Sequence, residues 1–332
     1  MPLVSAIVST YNAEQFIRDR IENLLQQTIV NEIEVIIVNS GSQEGEEAII
    51  NEFRSVGNIK YIKIQQRETV YQAWNRGIKI STGKFVTNAN TDDRSLPEAF
   101  ETMAGVLESD SSVAMVYADQ YITNIPNAGF PDINRTRRFF RPKVSPLQLL
   151  WHYPIGSQPM WRSSLHFEEN LWFNEVYEVA GDYDFALRVA ERGEIRRIRK
   201  VLGYYYRSSG EGNKEYQDYD RTVRETVRIQ NIYLRKSIAS MKQLRRGLLK
   251  YQCKVLIHVP NAVFKIIYRL LKVANRAWRV LPKEYWIWMY SAVLESQDNR
   301  NEALAVLALA PVQLPVITNR RKILAEALNG AK

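Results

Sequence analysis

The chain has few cysteines and histidines for its 332 residues. Its one cysteine, Cys253, excludes an internal disulfide framework and favours a reducing compartment. The three histidines, His152, His166 and His258, are scattered along the chain and do not resemble a zinc site.

Long apolar runs are also missing. Val4–Ser9 is too short for the apolar core of a signal peptide and has no basic segment before it. The longest stretch without a charged residue, between Glu302 and Arg320, contains Pro311 and Pro315 and is not interpreted as a membrane span. We expect a cytoplasmic protein, either soluble or peripheral on the cytoplasmic face of the membrane.

Negative charge is missing from one segment. Between Thr226 and Lys283 there is no Asp or Glu, whereas Lys and Arg number fourteen. Because the net charge is +9, the remainder of the chain is acidic, at −5. The basicity therefore belongs to a segment of the C-terminal region and not to the whole protein.

Within this segment, Lys265–Leu281 is predicted to be a basic amphipathic helix. Five basic side chains fall within about 80° of one another on a helical wheel. They are Lys265, Arg269, Lys272, Arg276 and Arg279. Two interpretations stay open: contact of 226–283 with an anionic membrane surface, or packing on the rest of the chain with a solvated basic face. No base-reading motif accompanies the charge, so we expect no nucleic-acid partner.

Short apolar strands alternate with helical patterns through the first 117 residues. The predicted strands are Val4–Ser9, Glu34–Val38, Lys60–Ile64, Phe85–Thr87 and Ser112–Tyr117. This alternation predicts an α/β fold, with a mostly parallel sheet covered by helices on both faces. Later helices are predicted at Leu96–Leu107, with Ser95 as N-cap, and at Asp182–Arg192. A boundary near 215–225 is predicted to separate a domain of residues 1–215 from a helical region of residues 216–332.

Polar residues follow three of these strands directly. The clusters are Thr10-Tyr11-Asn12, Asn39-Ser40-Gly41-Ser42 and Asn90-Thr91-Asp92-Asp93. Ligands of parallel sheets bind at the carboxyl ends of the strands, so these clusters are candidate ligand-binding loops. The first loop, STYNAEQF, has no glycine, which argues against a dinucleotide site of the dehydrogenase type.

Asp92 and Asp93 are adjacent carboxylates, which repel unless a cation, a helix N-terminus or solvent lies beside them. Two interpretations follow from the residues: a metal site, or negative charge placed before the helix at Leu96.

Four segments together resemble the family 2 glycosyltransferases, which have the GT-A (Rossmann-like) fold. The segments are VSAIVSTYNAEQFIRDRIENLLQQT, EVIIVNSGSQEGE, AWNRGIKISTGKFVTNANTDD and VAGDYDFALRVAERG. The resemblance covers roughly residues 2–210. It implies an inverting glycosyltransferase that moves a sugar from a nucleotide-diphosphate sugar, with a UDP-sugar favoured, to an acceptor hydroxyl. The expected setting is cell-surface polysaccharide, glycolipid or glycan biosynthesis, and a lipid-linked acceptor would suit membrane contact.

The resemblance also implies a divalent metal, Mg²⁺ or Mn²⁺, held on the donor diphosphate by an Asp-x-Asp motif. The matching residues are Asn90, Thr91 and Asp92, so Asp92 is the expected ligand. Asn90 replaces the first acid and would offer a neutral oxygen or a hydrogen bond to the donor, which makes metal dependence the point to test. Asp93 is expected to support the loop or the following helix.

The family's catalytic base matches Asp182, which would take a proton from the acceptor hydroxyl. Gly181 stands where an acid usually precedes this base, and the alternative for Asp182 is a helix N-cap. Asp184 and Arg188, four residues apart, are expected to form a structural pair.

The remaining candidate residues are assigned to the two substrates. The nucleotide is expected to contact Thr10, Tyr11, Asn12, Glu14 and Asn39, the last standing where the family usually has an aspartate. Asn75 and Arg76 either flank the donor or lie on a helix surface, and Gly156 and Ser157 are placed on the acceptor side.

Two other functions stay open. Asn39, Asn90 and Gly181 are compatible with a catalytically degenerate protein that binds sugar nucleotides or serves as a scaffold. A nucleotidyltransferase on a related fold is disfavoured, because AGDYDFALR would then have no evident task.

Overall fold

A computed structural model describes residues 1–129, 137–139, 141, 149, 153–207, 218 and 220–233. The chain divides into two units, Met1–Thr222 and Val223–Lys332, and every strand in the described part lies in the first. Residues 220–233 are helical. The predicted amphipathic helix Lys265–Leu281 and most of the basic segment 226–283 lie outside the described residues. No helix in the described ranges is long and apolar enough to cross a membrane.

Strands and helices alternate in the first half of the chain, as the sequence predicts. The strands are β1 (Val4–Thr10), β2 (Ile33–Ser40), β3 (Ile59–Ile64), β4 (Phe85–Asn88), β5 (Arg94–Ser95), β6 (Val113–Thr123), β7 (Arg137–Phe139), β8 (Met160–Arg162) and β9 (Glu194–Tyr206). The helices are α1 (Glu14–Leu25), α2 (Glu46–Phe53), α3 (Val70–Lys79), α4 (Ala99–Ser109), α5 (Ser164–Phe167) and α6 (Gly181–Ala190).

In the described part of the chain, nine strands form one mixed sheet with the order β3-β2-β1-β4-β8-β6-β9-β5, and β7 pairs with β6. Strands β3, β2, β1 and β4 are mutually parallel, and β6 is parallel to β9. The short strand β8 runs antiparallel to both β4 and β6 and joins the two halves of the sheet. The predicted α/β class is confirmed, whereas the antiparallel joint and the 13-residue strand β9 were not predicted.

Strands β1 and β2 are buried along nearly their whole length because helices cover the sheet. Apolar residues of α1 (Ile17, Ile21, Leu24) and of α4 (Phe100, Met103, Leu107) pack into one core with these strands. Gly77 brings α3 close to the sheet, since a Cβ there would lie 2.7 Å from Cγ2 of Ile7.

The prediction that Ser95 caps the next helix is wrong. Helix α4 begins at Ala99, after Glu98 at the N-cap position, and Ser95 belongs to β5. The Ser95 backbone N–H donates to Asn23 Oδ1 (2.8 Å), and its hydroxyl donates to Gln158 Oε1 (2.9 Å). Ser95 is therefore bound to distant elements, which a local capping pattern does not reveal.

A buried carboxylate, Glu34, joins the amino-terminal ends of β1, β2 and β4. It accepts hydrogen bonds from the Ser5 hydroxyl (2.6 Å), the Gly83 backbone N–H (3.0 Å) and Lys60 Nζ (2.6 Å). Burial raises the pKa of Glu34, but hydrogen bonds from Lys60, Ser5 and Thr82 outweigh it and leave the pKa below its ordinary value.

Glu34→Gln is expected to reduce the free energy of unfolding by about 2 to 3 kcal/mol at pH 7, because an amide leaves buried donors unsatisfied. The depressed folded pKa means that this contribution is complete above the unfolded pKa and is lost as the pH falls through the folded value. Urea unfolding at several pH values measures the difference. Glu108→Gln, in an exposed pair with Lys84, is the matched control and should cost less than about 0.5 kcal/mol. Equal effects of the two variants would contradict the prediction.

Candidate active site

Three polar loops meet at the carboxyl edge of the parallel strands. Thr10 at the end of β1 lies opposite Asn39 of β2. Ile7 of β1 lies opposite Asn88 of β4, and the Ala89 N–H continues the ladder by donating to Ile7 O (2.7 Å). The loops at 11–13, 41–45 and 89–93 therefore leave one edge of the sheet side by side.

A buried carboxylate at the start of α2, Glu46, connects the first two loops. Its Oε1 accepts hydrogen bonds from the Ala13 N–H (2.8 Å) and from the hydroxyls of Ser42 (2.6 Å) and Thr10 (3.3 Å). Sequence reasoning missed Glu46, because an acid in the first turn of a helix usually needs no partner beyond the helix dipole. Glu46 connects the loops through contacts with Thr10 and Ala13, which are more than 30 positions away in the sequence.

Asn12 and Glu14 also bind the second loop. The Asn12 backbone is in the left-handed region (φ 47°), and its Oδ1 accepts from the Gln43 N–H (3.0 Å). The Glu14 carboxylate accepts from the Gly45 N–H (3.0 Å). Both side chains thus join the first loop to the backbone of the second.

Two aromatic side chains lie beside these loops. The guanidinium of Arg67 lies 4.2 Å from the centroid of the Tyr11 ring. Asn39 is buried, and its Oδ1 accepts from the Ser42 N–H (2.9 Å) while its Nδ2 donates to the Tyr61 hydroxyl (3.3 Å). Because a backbone N–H can only donate, the bond to Ser42 orients the Asn39 amide.

In the third loop the adjacent acids have different environments. Asp93 is 1% exposed and accepts from the Tyr206 N–H (3.2 Å) and from the Ser157 hydroxyl, whereas Asp92 is only half-buried. Burial, followed by the charge of Asp92, raises the pKa of Asp93 to about 7. Asn90 Nδ2 lies 3.4 Å from Asp93 Oδ2 and donates to it. Asp93 therefore ties the loop to the interior.

A buried cation, Arg20 of α1, underlies this loop. Its Nη1 donates to the backbone carbonyl of Asp93 (3.1 Å) and to Asn23 Oδ1 (2.9 Å). Burial, followed by repulsion from Arg94, lowers the pKa of Arg20 to about 9. The guanidinium offsets part of the negative charge of the two acids.

The carboxylates of the third loop fit a metal only if another molecule completes its coordination. In the described ranges no group of three or more His, Cys, Asp or Glu side chains could hold a metal ion. Asp93 is buried and bound to protein donors, whereas Asp92 is the more exposed of the two carboxylates. One carboxylate matches the way Mg²⁺ and Mn²⁺ bind together with phosphate oxygens and water.

Asp182 lies in the first turn of α6, on a different element. Its Oδ1 accepts from the Tyr183 N–H (2.8 Å) and lies 3.4 Å from the Tyr71 hydroxyl. The N-cap position is Ala180, so the alternative interpretation of Asp182 as an N-cap is wrong. Asp184 and Arg188, on the same helix, form the ion pair that their spacing predicts (2.7 Å).

Asn75 and Arg76 are neighbours on α3 with different surroundings. Asn75 is 3% exposed, so its interpretation as part of a helix surface is wrong. Its amide accepts from the Phe173 N–H (3.0 Å) and donates to Phe173 O (2.9 Å) and Glu175 Oε1 (2.8 Å). Arg76 is half-exposed and pairs with Glu68. Asn75 thereby holds the segment that leads to Asp182.

Gly156 and Ser157 lie next to the third loop. Gly156 has φ 88°, and a Cβ there would lie 2.5 Å from Nη2 of Arg141. The Ser157 carbonyl accepts from Asn88 Nδ2 (2.6 Å) at the end of β4. Together with the bond to Asp93, this contact joins the 156–157 turn to the carboxyl edge of the sheet.

Known proteins resemble this chain in sequence and in structure. Chondroitin synthase of Pasteurella multocida (strain Pm70) is 26% identical over 203 residues, which are 60% of this chain and 20% of the synthase. The chain thus spans about a fifth of that relative's length. S. aureus TarS (1–349, in complex with UDP) has a TM-score of 0.57 at 17% identity, covering 100% of this chain and 92% of TarS. A mannosyltransferase from Pyrobaculum calidifontis, in complex with GDP-Man and Mn²⁺, has a TM-score of 0.52 at 19% identity, covering 98% and 81%.

The two structural likenesses support the GT-A type of fold. Residues 5–166 match the model of the family described as "Glycosyl transferase family 2". That range holds all three loops at the carboxyl edge and ends before α6, which carries Asp182. Residues 5–166 of this chain therefore belong to glycosyl transferase family 2.

Proposed function

We propose that this chain is an inverting glycosyltransferase that transfers a sugar from a nucleotide-diphosphate sugar, with a UDP-sugar favoured, to an acceptor hydroxyl. The observation that carries the proposal is the convergence of two interlocked polar loops with the Asp92 loop at the carboxyl edge of a family 2 domain. The similar structures contain UDP in one case and GDP-Man with Mn²⁺ in the other, which supports a nucleotide-sugar donor.

On the donor side, the loops connected by Glu46 would bind the nucleotide. Tyr11 and Arg67 offer a flat face for a base, and the oriented amide of Asn39 offers hydrogen bonds. Asp92 would hold Mg²⁺ or Mn²⁺ together with the donor diphosphate. When bound, such an ion neutralises charge that develops on the leaving nucleoside diphosphate.

On the acceptor side, Asp182 would act as the general base. Its carboxylate would take the proton from the acceptor hydroxyl as that oxygen forms a bond to the anomeric carbon. The bond between the anomeric carbon and the phosphate oxygen breaks on the opposite face, so the configuration inverts. The Tyr183 N–H, which donates to Asp182 Oδ1, holds the carboxylate in place.

For the acceptor we propose a biosynthetic role and a lipid carrier. Relatives that include chondroitin synthase support a role in cell-surface polysaccharide, glycolipid or glycan biosynthesis. In such a role the acceptor would be linked to a lipid, and residues 226–283 would contact the membrane surface. Liposome flotation of the full chain and of a chain ending at residue 225 tests the membrane contact, which equal flotation of both would exclude.

A thermal-shift screen of UDP- and GDP-sugars, with and without Mn²⁺, tests the donor class. We expect one nucleotide sugar with Mn²⁺ to stabilise the protein, by about 2.7 kcal/mol at a hundredfold excess over Kd. The same donor should then release nucleoside diphosphate slowly in water and faster with acceptors. Binding without turnover would favour the degenerate scaffold, and release of pyrophosphate would favour a nucleotidyltransferase.

A further inference from the structure

Tyr71 contacts the segment around Asp182 although more than 100 residues separate them. It lies in the first turn of α3 and is 2% exposed. Its hydroxyl donates to Val179 O (2.7 Å) and lies 3.4 Å from Asp182 Oδ1. The phenol hydroxyl therefore lies between the backbone just before α6, to which it donates, and the carboxylate in the first turn of that helix.

Gly181 leaves the space that the Tyr71 ring occupies. A Cβ at residue 181 would lie 2.7 Å from Cε2 of Tyr71 and 2.8 Å from Cδ2, closer than real Cβ contacts. The family that this chain resembles usually has an acid at this position. With the ring in place no side chain fits at residue 181. The buried position of Tyr71 therefore requires glycine where the family usually has an acid.

Other aromatic residues hold the Tyr71 ring. Trp74 packs edge-on against it with ring centroids 5.5 Å apart, and Phe173 stacks on it at 5.9 Å. Asn75 fixes Phe173 through two backbone hydrogen bonds. Burial, followed by the charge of Asp182, raises the pKa of Tyr71 well above its ordinary value, so the hydroxyl keeps its proton at neutral pH.

We propose that Tyr71 is a positioning residue for Asp182, taking the place of the acid that usually precedes the base. Its hydroxyl holds Val179 and approaches Asp182 Oδ1, so it sets where the carboxylate points when the acceptor arrives. A displacement of about 1 Å at such a group costs up to a hundredfold in rate. This inference rests on the proposed role of Asp182 as the base.

The test compares Tyr71→Phe with Ser81→Ala in the full chain. Ser81 follows α3 and is a matched control, because its buried hydroxyl donates to Ile78 O at the same distance of 2.7 Å. We expect Tyr71→Phe to lower kcat about tenfold with the donor KM unchanged within about twofold, since it removes orientation and not binding. Ser81→Ala should change kcat less than about twofold, with a similar loss in Tm.

A second pair of variants tests the space beneath the ring. Gly181→Ala is expected to lower both Tm and kcat, and Tyr71→Ala combined with Gly181→Ala should lower Tm by less than the two single losses together. Additive losses, or equal kcat losses in Tyr71→Phe and Ser81→Ala, would overturn the proposal. Full activity of Asp182→Asn would instead overturn the assignment of the base, which separates the two failures.

Discussion

Asp182→Asn is expected to reduce sugar transfer by about 10³- to 10⁴-fold while the protein still binds its donor. Asparagine has nearly the same shape and accepts from the Tyr183 N–H as aspartate does, but it cannot take a proton from a hydroxyl. The loss therefore falls on the chemical step. Release of nucleoside diphosphate at saturating donor and acceptor measures it, and a thermal shift with UDP measures retained binding.

Asp184→Asn is the matched control for this experiment. Asp184 lies on the same helix but is buried in an ion pair with Arg188. Its replacement should lower Tm and leave kcat within about threefold, because breaking a partly buried pair affects stability. If Asp182→Asn kept more than a tenth of the activity, Asp182 would not be the base. If it lost donor binding as well, the residue would serve structure or donor recognition instead.

Asp92→Ala is expected to reduce transfer by about 10²- to 10³-fold and to abolish stimulation by Mn²⁺. Asp92 is the more exposed carboxylate of its loop, since Asp93 is buried beside the Tyr206 N–H and the Ser157 hydroxyl. Without it, a metal bound to the diphosphate has no protein carboxylate. Titration of activity with Mn²⁺ at fixed donor measures the effect, and Glu108→Ala, an exposed acid in a surface pair, is the control.

Asn90→Asp tests the same site in the opposite direction. An added acid at the first position of the motif should lower the Mn²⁺ concentration for half-maximal activity several-fold. The added carboxylate is also expected to repel Asp93, to which Asn90 donates a hydrogen bond in the wild type. Activity that is independent of divalent metal in the wild type, in Asp92→Ala and in Asn90→Asp would show that transfer proceeds without a metal at this loop.

The sequence predicted the part of the fold that depends on local pattern. Apolar strands alternating with helices identified β1, β2, β3 and β4 within a few residues, because two-residue and three-to-four-residue periodicities report which face is buried. The placement of Asn39 and Asp92 at one edge followed from the rule for parallel strands.

Several features of the site depended on contacts that no local pattern reports. Ser95 has the sequence signature of a helix cap but is bound by Asn23 and Gln158, and Glu46 resembles an ordinary first-turn acid. Asn75 was expected on a helix surface or beside the donor, and its amide is bound to the backbone of Phe173. Each of these partners is more than 30 positions away in the sequence, so the contact forms only when distant elements pack together.

The sequence by itself predicted the α/β class from residue types and their spacing. Its resemblance to the family 2 glycosyltransferases indicated Asp92 and Asp182 as the candidate acids. The tertiary structure decided how those acids differ. Asp93 is buried and accepts hydrogen bonds from the Tyr206 N–H at the end of β9 and from the Ser157 hydroxyl, whereas Asp92 is half-buried. Likewise Gly181, which in the sequence is only a missing acid, is in the structure the space filled by Tyr71, because α3 and α6 pack together there.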